Sequence, residues 1–360
     1  MILLNPGPVN VSPRVTRALS RGDLFHREPE FSDLLDGVRR KLVAAFAPRG
    51  DWEAVPITGS GTLALEAAVS SASAQGRRML VVVNGVYGER ILEMARVHGI
   101  ETVEVRSEWT ERPDPAKVAE AIRRHPAVEV VAMVHHETTT GLLNPVREIG
   151  EVVRAAGRRL LVDSISGLGG DEIDLGDGNV SICVGVANKC IQGLPGIGFV
   201  LATRPELERM GAIAPRSVYM NLPRHHEAHR KRTVPFTAAV QVLYALDEAL
   251  DELLEETVAG RIRRYRGAAS QLRRGFEDMG LRLLLPEPMR SNSITSLVMP
   301  RGATYASLHD RLKADGFVVY EGQGRLAAEV FRVANMGALG SDDFDRFLAS
   351  LRRALGGDGA

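Results

Sequence analysis

Lys189 and Asp163 are the two residues of this 360-residue chain best placed to do chemistry together. Lys189 follows a short apolar, β-prone run, Ser181 to Ala187, and precedes Cys190-Ile191-Gln192 and the turn-forming Gly193-Leu194-Pro195-Gly196. An amine at the end of a buried strand loses the water that stabilises its charge, and a neutral lysine is a nucleophile that forms Schiff bases with carbonyls. Asp163 stands in the same relation to the apolar run Arg159-Leu160-Leu161-Val162. Ligands of α/β proteins lie beyond the carboxyl ends of strands, so both side chains are expected on one ligand. Pyridoxal 5′-phosphate (PLP) would use both: its aldehyde on Lys189, its protonated ring nitrogen against Asp163. Each residue alone has a plainer use, Lys189 reaching to solvent along its stem and Asp163 capping a helix or turn.

Other candidates also fall just past strands. Ala54 to Thr58 runs into Gly59-Ser60-Gly61-Thr62 and then a helix of small and apolar residues. A strand, glycine turn and helix start make a phosphate site from free backbone N–H groups and the positive helix end, with the Ser60 and Thr62 hydroxyls as further donors. No Gly-Lys-Ser/Thr follows, and no GxGxxG is present, so neither a nucleotide triphosphate loop nor a dinucleotide motif is indicated. Met79 to Val83 leads into Asn84-Gly85-Val86-Tyr87-Gly88-Glu89-Arg90, where flanking glycines would let the Tyr87 ring stack on a flat ligand. Val128 to His135 leads into Glu137-Thr138-Thr139-Thr140-Gly141, a hydroxyl cluster. Arg332 lies in the apolar strand Val330 to Val333; facing inward it would need an anion, facing outward only water. His26 and Arg27 read as loop residues ahead of an amphipathic helix near Ser32 to Ala47.

The elements that carry these residues alternate strand and helix from about 54 to 203, which predicts an α/β fold with a mostly parallel seven-stranded sheet covered on both faces. Residues 1–15 read as a proline-punctuated arm, 16–240 as the large domain and 241–360 as a smaller α+β domain, with a long helix from about 238 as linker. Residues 204–236 read as irregular. In the tail, a strand over Ser293 to Val298, a helix over Tyr305 to Asp315, strands over Phe317 to Tyr320 and Val330 to Val333, and a helix over Asp342 to Leu355 are predicted.

Bulk composition narrows the function classes. Equal numbers of basic and acidic residues, 45 each, argue against nucleic acid as a partner, and no polybasic run points to a membrane surface. Cys183 and Cys190 are too few for a disulfide framework and wrongly spaced for zinc. The opening residues lack a charged and apolar leader, and no apolar run approaches a membrane span, so a reducing, cytoplasmic setting is expected.

Taken together, the motifs LLNPGPV (3–9), HRE (26–28), GSGT (59–62), NGVYGER (84–90), HETTTG (136–141), VDSIS (162–166), ANKCIQGLPG (187–196), FT (236–237) and FRVANMG (331–337) run nearly end to end. With them the chain resembles the fold-type I PLP-dependent aminotransferases of the class V group. The resemblance implies Lys189 as the Schiff-base lysine and Asp163 as partner of the ring nitrogen. It implies Ser60, Gly61 and Thr62 at the cofactor phosphate, Tyr87 stacked on the ring and Thr139 near its ring oxygen. Thr237, or else Thr233, would reach the phosphate of a neighbouring subunit, which implies a homodimer with shared active sites. Arg332, with Arg27 as helper, would hold the acidic group of the substrate. HRE, ETTTG and ANKC-Q-G-PG point to the branch that takes an aminoalkylphosphonate as donor and pyruvate as acceptor; alanine–glyoxylate or serine–pyruvate types, or a modified aminophosphonate, are the alternatives. Departures at Val186, Asn221 and Ala238-Ala239 bear on the choice of substrate.

Overall fold

The computed structural model describes residues 1–356. Seven strands, β1 (Trp52–Thr58), β2 (Arg78–Val83), β3 (Glu101–Arg106), β4 (Val128–Val134), β5 (Arg159–Asp163), β6 (Ile182–Val186) and β7 (Ile197–Thr203), form one sheet in the order β1-β7-β6-β5-β4-β2-β3. All run parallel except β7, which is antiparallel to both of its neighbours, β1 and β6. The seven predicted strands are all present.

The inner strands are buried on both faces, which is why they read as continuous apolar runs rather than alternating ones. In β2, Leu80 and Val82 enter one core with Val131 and Met133 of β4; Met79, Val81 and Val83 enter the core on the opposite face with Val130, Ala132 and Val134. Because the strands are parallel, the carboxyl ends of β1, β2, β4, β5 and β6 share one edge of the sheet. That edge carries the glycine turn, Tyr87, the threonine cluster, Asp163 and Lys189.

The smaller unit is an antiparallel sheet of β8 (Ile294–Val298), β9 (Tyr320–Glu321) and β10 (Val330–Ala334), in the order β8-β10-β9. The helices Val258–Asp278, Tyr305–Ala314 and Ser341–Ala354 pack with it around Leu272, Phe276, Leu308, Phe331, Phe344 and Phe347. The expected strand over Phe317 to Tyr320 splits in two. Phe317–Val318 pairs in parallel with Ile2–Leu3 of the amino-terminal arm, and Tyr320 pairs with Arg332. The arm is therefore part of the small unit: Leu4 is fully buried in its core, and the Ala334 N–H donates to Leu4 O at 2.8 Å.

One expectation is corrected. Residues 204–236 contain helices Arg204–Gly211 and Leu222–Arg230, the second capped by the Asn221 side chain, which accepts the Arg224 N–H at 3.1 Å. Each begins with a proline at its first turn, a start signal that the sequence displays. The helix Val240–Glu256 packs into the large unit's core through Val240, Leu243, Leu246, Leu250 and Leu253. At Thr257 the chain turns with φ 66° into the Val258–Asp278 helix. The expected 241–360 unit also extends past the described residues, at 357–360. Among the described residues no helix is long and apolar enough to cross a membrane.

Candidate active site

Asp163 ends β5 and is 3% exposed; its Oδ1 accepts the Ile165 N–H at 2.9 Å. Burial holds its carboxyl above the usual carboxylate range, opposed by that N–H and by the positive charges of Lys189 and Arg90. Lys189 lies in the turn after β6, its Nζ 5.8 Å from the centre of the Tyr87 ring. Among the described residues, Lys189 and Asp163 do not form an ion pair within 4.0 Å.

Several contacts fix the lysine turn. Gln192, with φ 67°, donates through Nε2 to Tyr265 Oη and to Gly337 O, both at 2.7 Å. Arg261 donates to Cys190 O at 2.9 Å. Gly7 of the arm has φ 108°, and a Cβ there would stand 3.0 Å from Asn188 O and 3.1 Å from Lys189 Cγ, so only glycine lets the arm pass so close to the lysine.

The phosphate turn lies across the end of β1. Ser60 is the N-cap of helix Gly61–Ala72, accepting the Leu63 N–H at 3.2 Å and keeping its hydroxyl proton free to donate. The Gly61 and Thr62 amides lie in the first turn, where no intrahelical acceptor exists. Gly61 is buried against Ile165 and Val186, so the Val186 departure alters packing beneath this turn. Arg90 donates to Thr62 Oγ1 at 3.5 Å, and its guanidinium carbon lies 4.6 Å from the centre of the Tyr87 ring.

The helix Val86–Val97 is capped from outside. Its N-cap, Gly85, offers no side chain, and the Glu137 carboxyl accepts the Tyr87 and Gly88 N–H groups at 3.4 and 3.3 Å instead. A Cβ on Gly85 would lie 2.2 Å from Glu137 Cδ, so glycine is required there for space. Thr139 Oγ1 donates to Glu137 at 2.6 Å and accepts the Val86 N–H at 3.1 Å. The Thr139 proton is therefore spent on Glu137, and Thr139 can meet a ligand only as an acceptor. The buried hydroxyls without a partner in this cluster are those of Thr138 and Thr140. Burial pushes the Glu137 carboxyl up to about 7, against these hydrogen bonds.

Arg332 is fully buried. Its Nε and Nη2 donate to Glu321 O at 3.0 and 2.8 Å, and its Nη1 donates to Thr138 O at 2.6 Å and to Gln323 Oε1 at 3.1 Å. The Tyr320 ring lies 4.4 Å from its guanidinium carbon. All these acceptors are neutral. Among the described residues no carboxylate lies within 4.0 Å, leaving a desolvated cation without a counter-charge.

Arg27 and Thr237 are placed differently. Both are exposed, and neither makes a hydrogen bond or ion pair with the described chain. Thr237 follows Phe236, which stacks on Tyr219 at 4.8 Å, while Tyr219 Oη donates to Thr58 O at 3.0 Å beside the phosphate turn. Sequence reasoning passed over Arg90 and Glu137, although both stand inside motifs it quoted, NGVYGER and the residue before the threonines.

These residues fit PLP: an amine without an ion-pair partner, a buried carboxyl, an aromatic ring beside the amine, and a helix start with free amides and hydroxyls. The model of the aminotransferase class-V family matches residues 16–335, and the chain belongs to that family of PLP-dependent enzymes. A 2-aminoethylphosphonate–pyruvate transaminase of Syntrophobacter fumaroxidans is 37% identical, covering 98% of this chain and 96% of that protein. One from Vibrio cholerae is 34% identical over 98% of this chain and 97% of its own length. The crystal structure of pyridoxamine–pyruvate aminotransferase from Mesorhizobium loti superposes with a TM-score of 0.93 at 29% identity, covering 100% of this chain and 93% of that one.

Proposed function

We propose that this aminotransferase moves the amino group of 2-aminoethylphosphonate to pyruvate, giving phosphonoacetaldehyde and L-alanine, as a cytoplasmic homodimer with shared active sites. The observation that carries the choice of donor is Arg332. A fully buried guanidinium bonded only to neutral oxygens calls for an anion, and a phosphonate supplies two charges where a carboxylate supplies one. The relatives named for this reaction match nearly the whole chain, which supports the same reading.

PLP, when bound, supplies an electron sink for the pair left when the amine-bearing carbon of the donor loses its proton. The chain's residues do the rest. Lys189 Nζ would act as the general base that carries this proton. Asp163, its carboxyl held above the usual carboxylate range by burial, would hold the ring-nitrogen proton. Ser60, Gly61 and Thr62 would hold the phosphate, and Tyr87 would face the ring. Arg332 takes the phosphonate of the donor and then the carboxylate of pyruvate. Thr237, exposed on its own chain, would reach the cofactor phosphate of a second copy, and Arg27 would assist Arg332 at the substrate's acidic group.

The test is a donor series with pyruvate as acceptor: 2-aminoethylphosphonate, its carboxylate counterpart β-alanine and its sulfonate counterpart taurine. The expected order places the phosphonate first in kcat/KM by about 100-fold or more, the weight of a second charge on a buried guanidinium. Equal or better use of β-alanine or taurine would discard the phosphonate.

A further inference from the structure

Arg90 is an arginine that the mechanism above does not use, yet it borders three of the parts the mechanism does use. It is half-buried, and among the described residues it makes no ion pair within 4.0 Å. Its Nη1 donates to Thr62 Oγ1 at 3.5 Å, in the first turn of the helix assigned to the cofactor phosphate. Its guanidinium stacks 4.6 Å from the centre of the Tyr87 ring, which fixes the plane of the group and limits its swing. Its charge is also felt at Asp163.

We propose that Arg90 is a positioning residue for the anionic end of the cofactor. A hydroxyl has one proton and two lone pairs, so when Thr62 Oγ1 accepts from Arg90 its proton must turn away, toward the open side of the turn. That leaves a donor aimed outward beside the Gly61 and Thr62 amides. The guanidinium also brings a planar fork of donors and a positive charge to this side of the site. Tyr87 holds the guanidinium against the Thr62 side of the site. The inference rests on the family assignment and not on the identity of the amino donor.

The test uses full-length protein freed of cofactor and titrated with PLP, then with inorganic phosphate as competitor, for the parent and for Arg90→Met, Arg90→Lys, Thr62→Val and the double variant Arg90→Met/Thr62→Val. Arg90→Met should raise the Kd for PLP by about 10- to 100-fold and weaken the phosphate competition in parallel, as expected for loss of a charge-assisted donor. Arg90→Lys, which keeps charge without the planar fork, should fall between. The double variant should lose less than the two single variants combined, because part of what Arg90 does passes through Thr62. A role confined to packing would lower the melting temperature of Arg90→Met but leave phosphate competition on the surviving folded protein unchanged. That result, a Kd for PLP within twofold of the parent in Arg90→Lys and Arg90→Met, or strictly additive losses, would overturn the proposal. Phosphate and PLP binding are read without any amino donor, so this outcome is separable from that of the donor series.

Discussion

At the scale of residues, the chemistry depends on charges that burial makes expensive. Arg332 is held by Glu321 O, Thr138 O and Gln323 Oε1, neutral acceptors that set its orientation without a counter-charge within 4.0 Å among the described residues. Arg332→Lys should raise KM for the phosphonate donor by about 100-fold, a loss on the order of 3 kcal/mol, because a point charge cannot keep several of these bonds and the substrate at once. Steady-state kinetics check this; an unchanged KM would move the anion site elsewhere. Lys189, Asp163 and Arg332 stood out in the sequence because each is a polar residue at the end of, or within, an apolar strand, and the structure buries the last two. By spacing Thr139 is one of three threonines, and only the resemblance singled it out. Which hydroxyl is free depends on Glu137 reaching across to it, a contact between side chains that spacing does not reveal.

At the scale of elements, the Val86–Val97 helix starts on a glycine and borrows its cap from the loop after β4. Glu137 joins the Tyr87 helix to the threonine cluster, and its protonation is linked to stability. Its folded pKa, about 7, lies above its ordinary 4.5, so the folded state binds the proton more tightly. That contribution is complete below pH 4.5 and is lost as pH rises to about 7. Glu137→Gln cannot ionise. The stability of the parent relative to this variant should therefore fall between those two pH values, by up to the order of 3 kcal/mol, and stay level above. Denaturant unfolding of both proteins across this range checks the slope; a parallel pair of curves would place the carboxyl as ionised throughout. The inner strands were legible because both faces are buried; the edge strand β3 buries only Val105. The helices in 204–230 were not, because their residues are polar and their signals lie in Asn221, Pro205 and Pro223 rather than in apolar periodicity.

At the scale of the whole molecule, the amino-terminal arm pairs with Phe317–Val318, bonds to β10 and passes over Lys189 at Gly7, tying the small unit to the catalytic turn. Tyr265 and Arg261 of the Val258–Asp278 helix hold the same turn from the other side. The sequence marked this arm by its prolines and glycine, but its partner strand lies some three hundred residues away and could not be read locally. The exposed Thr237 makes a second expectation at this scale: sedimentation should give twice the 39.1 kDa chain mass, and a monomer retaining full activity would contradict shared sites. The most direct test of the central claim is a titration of the purified, PLP-loaded protein with 2-aminoethylphosphonate, and separately with L-alanine, following the visible absorption of the cofactor. The account predicts that both donors abolish the band, and that adding pyruvate after the phosphonate restores it with formation of alanine. Loss of the band with L-alanine but not with the phosphonate would contradict it.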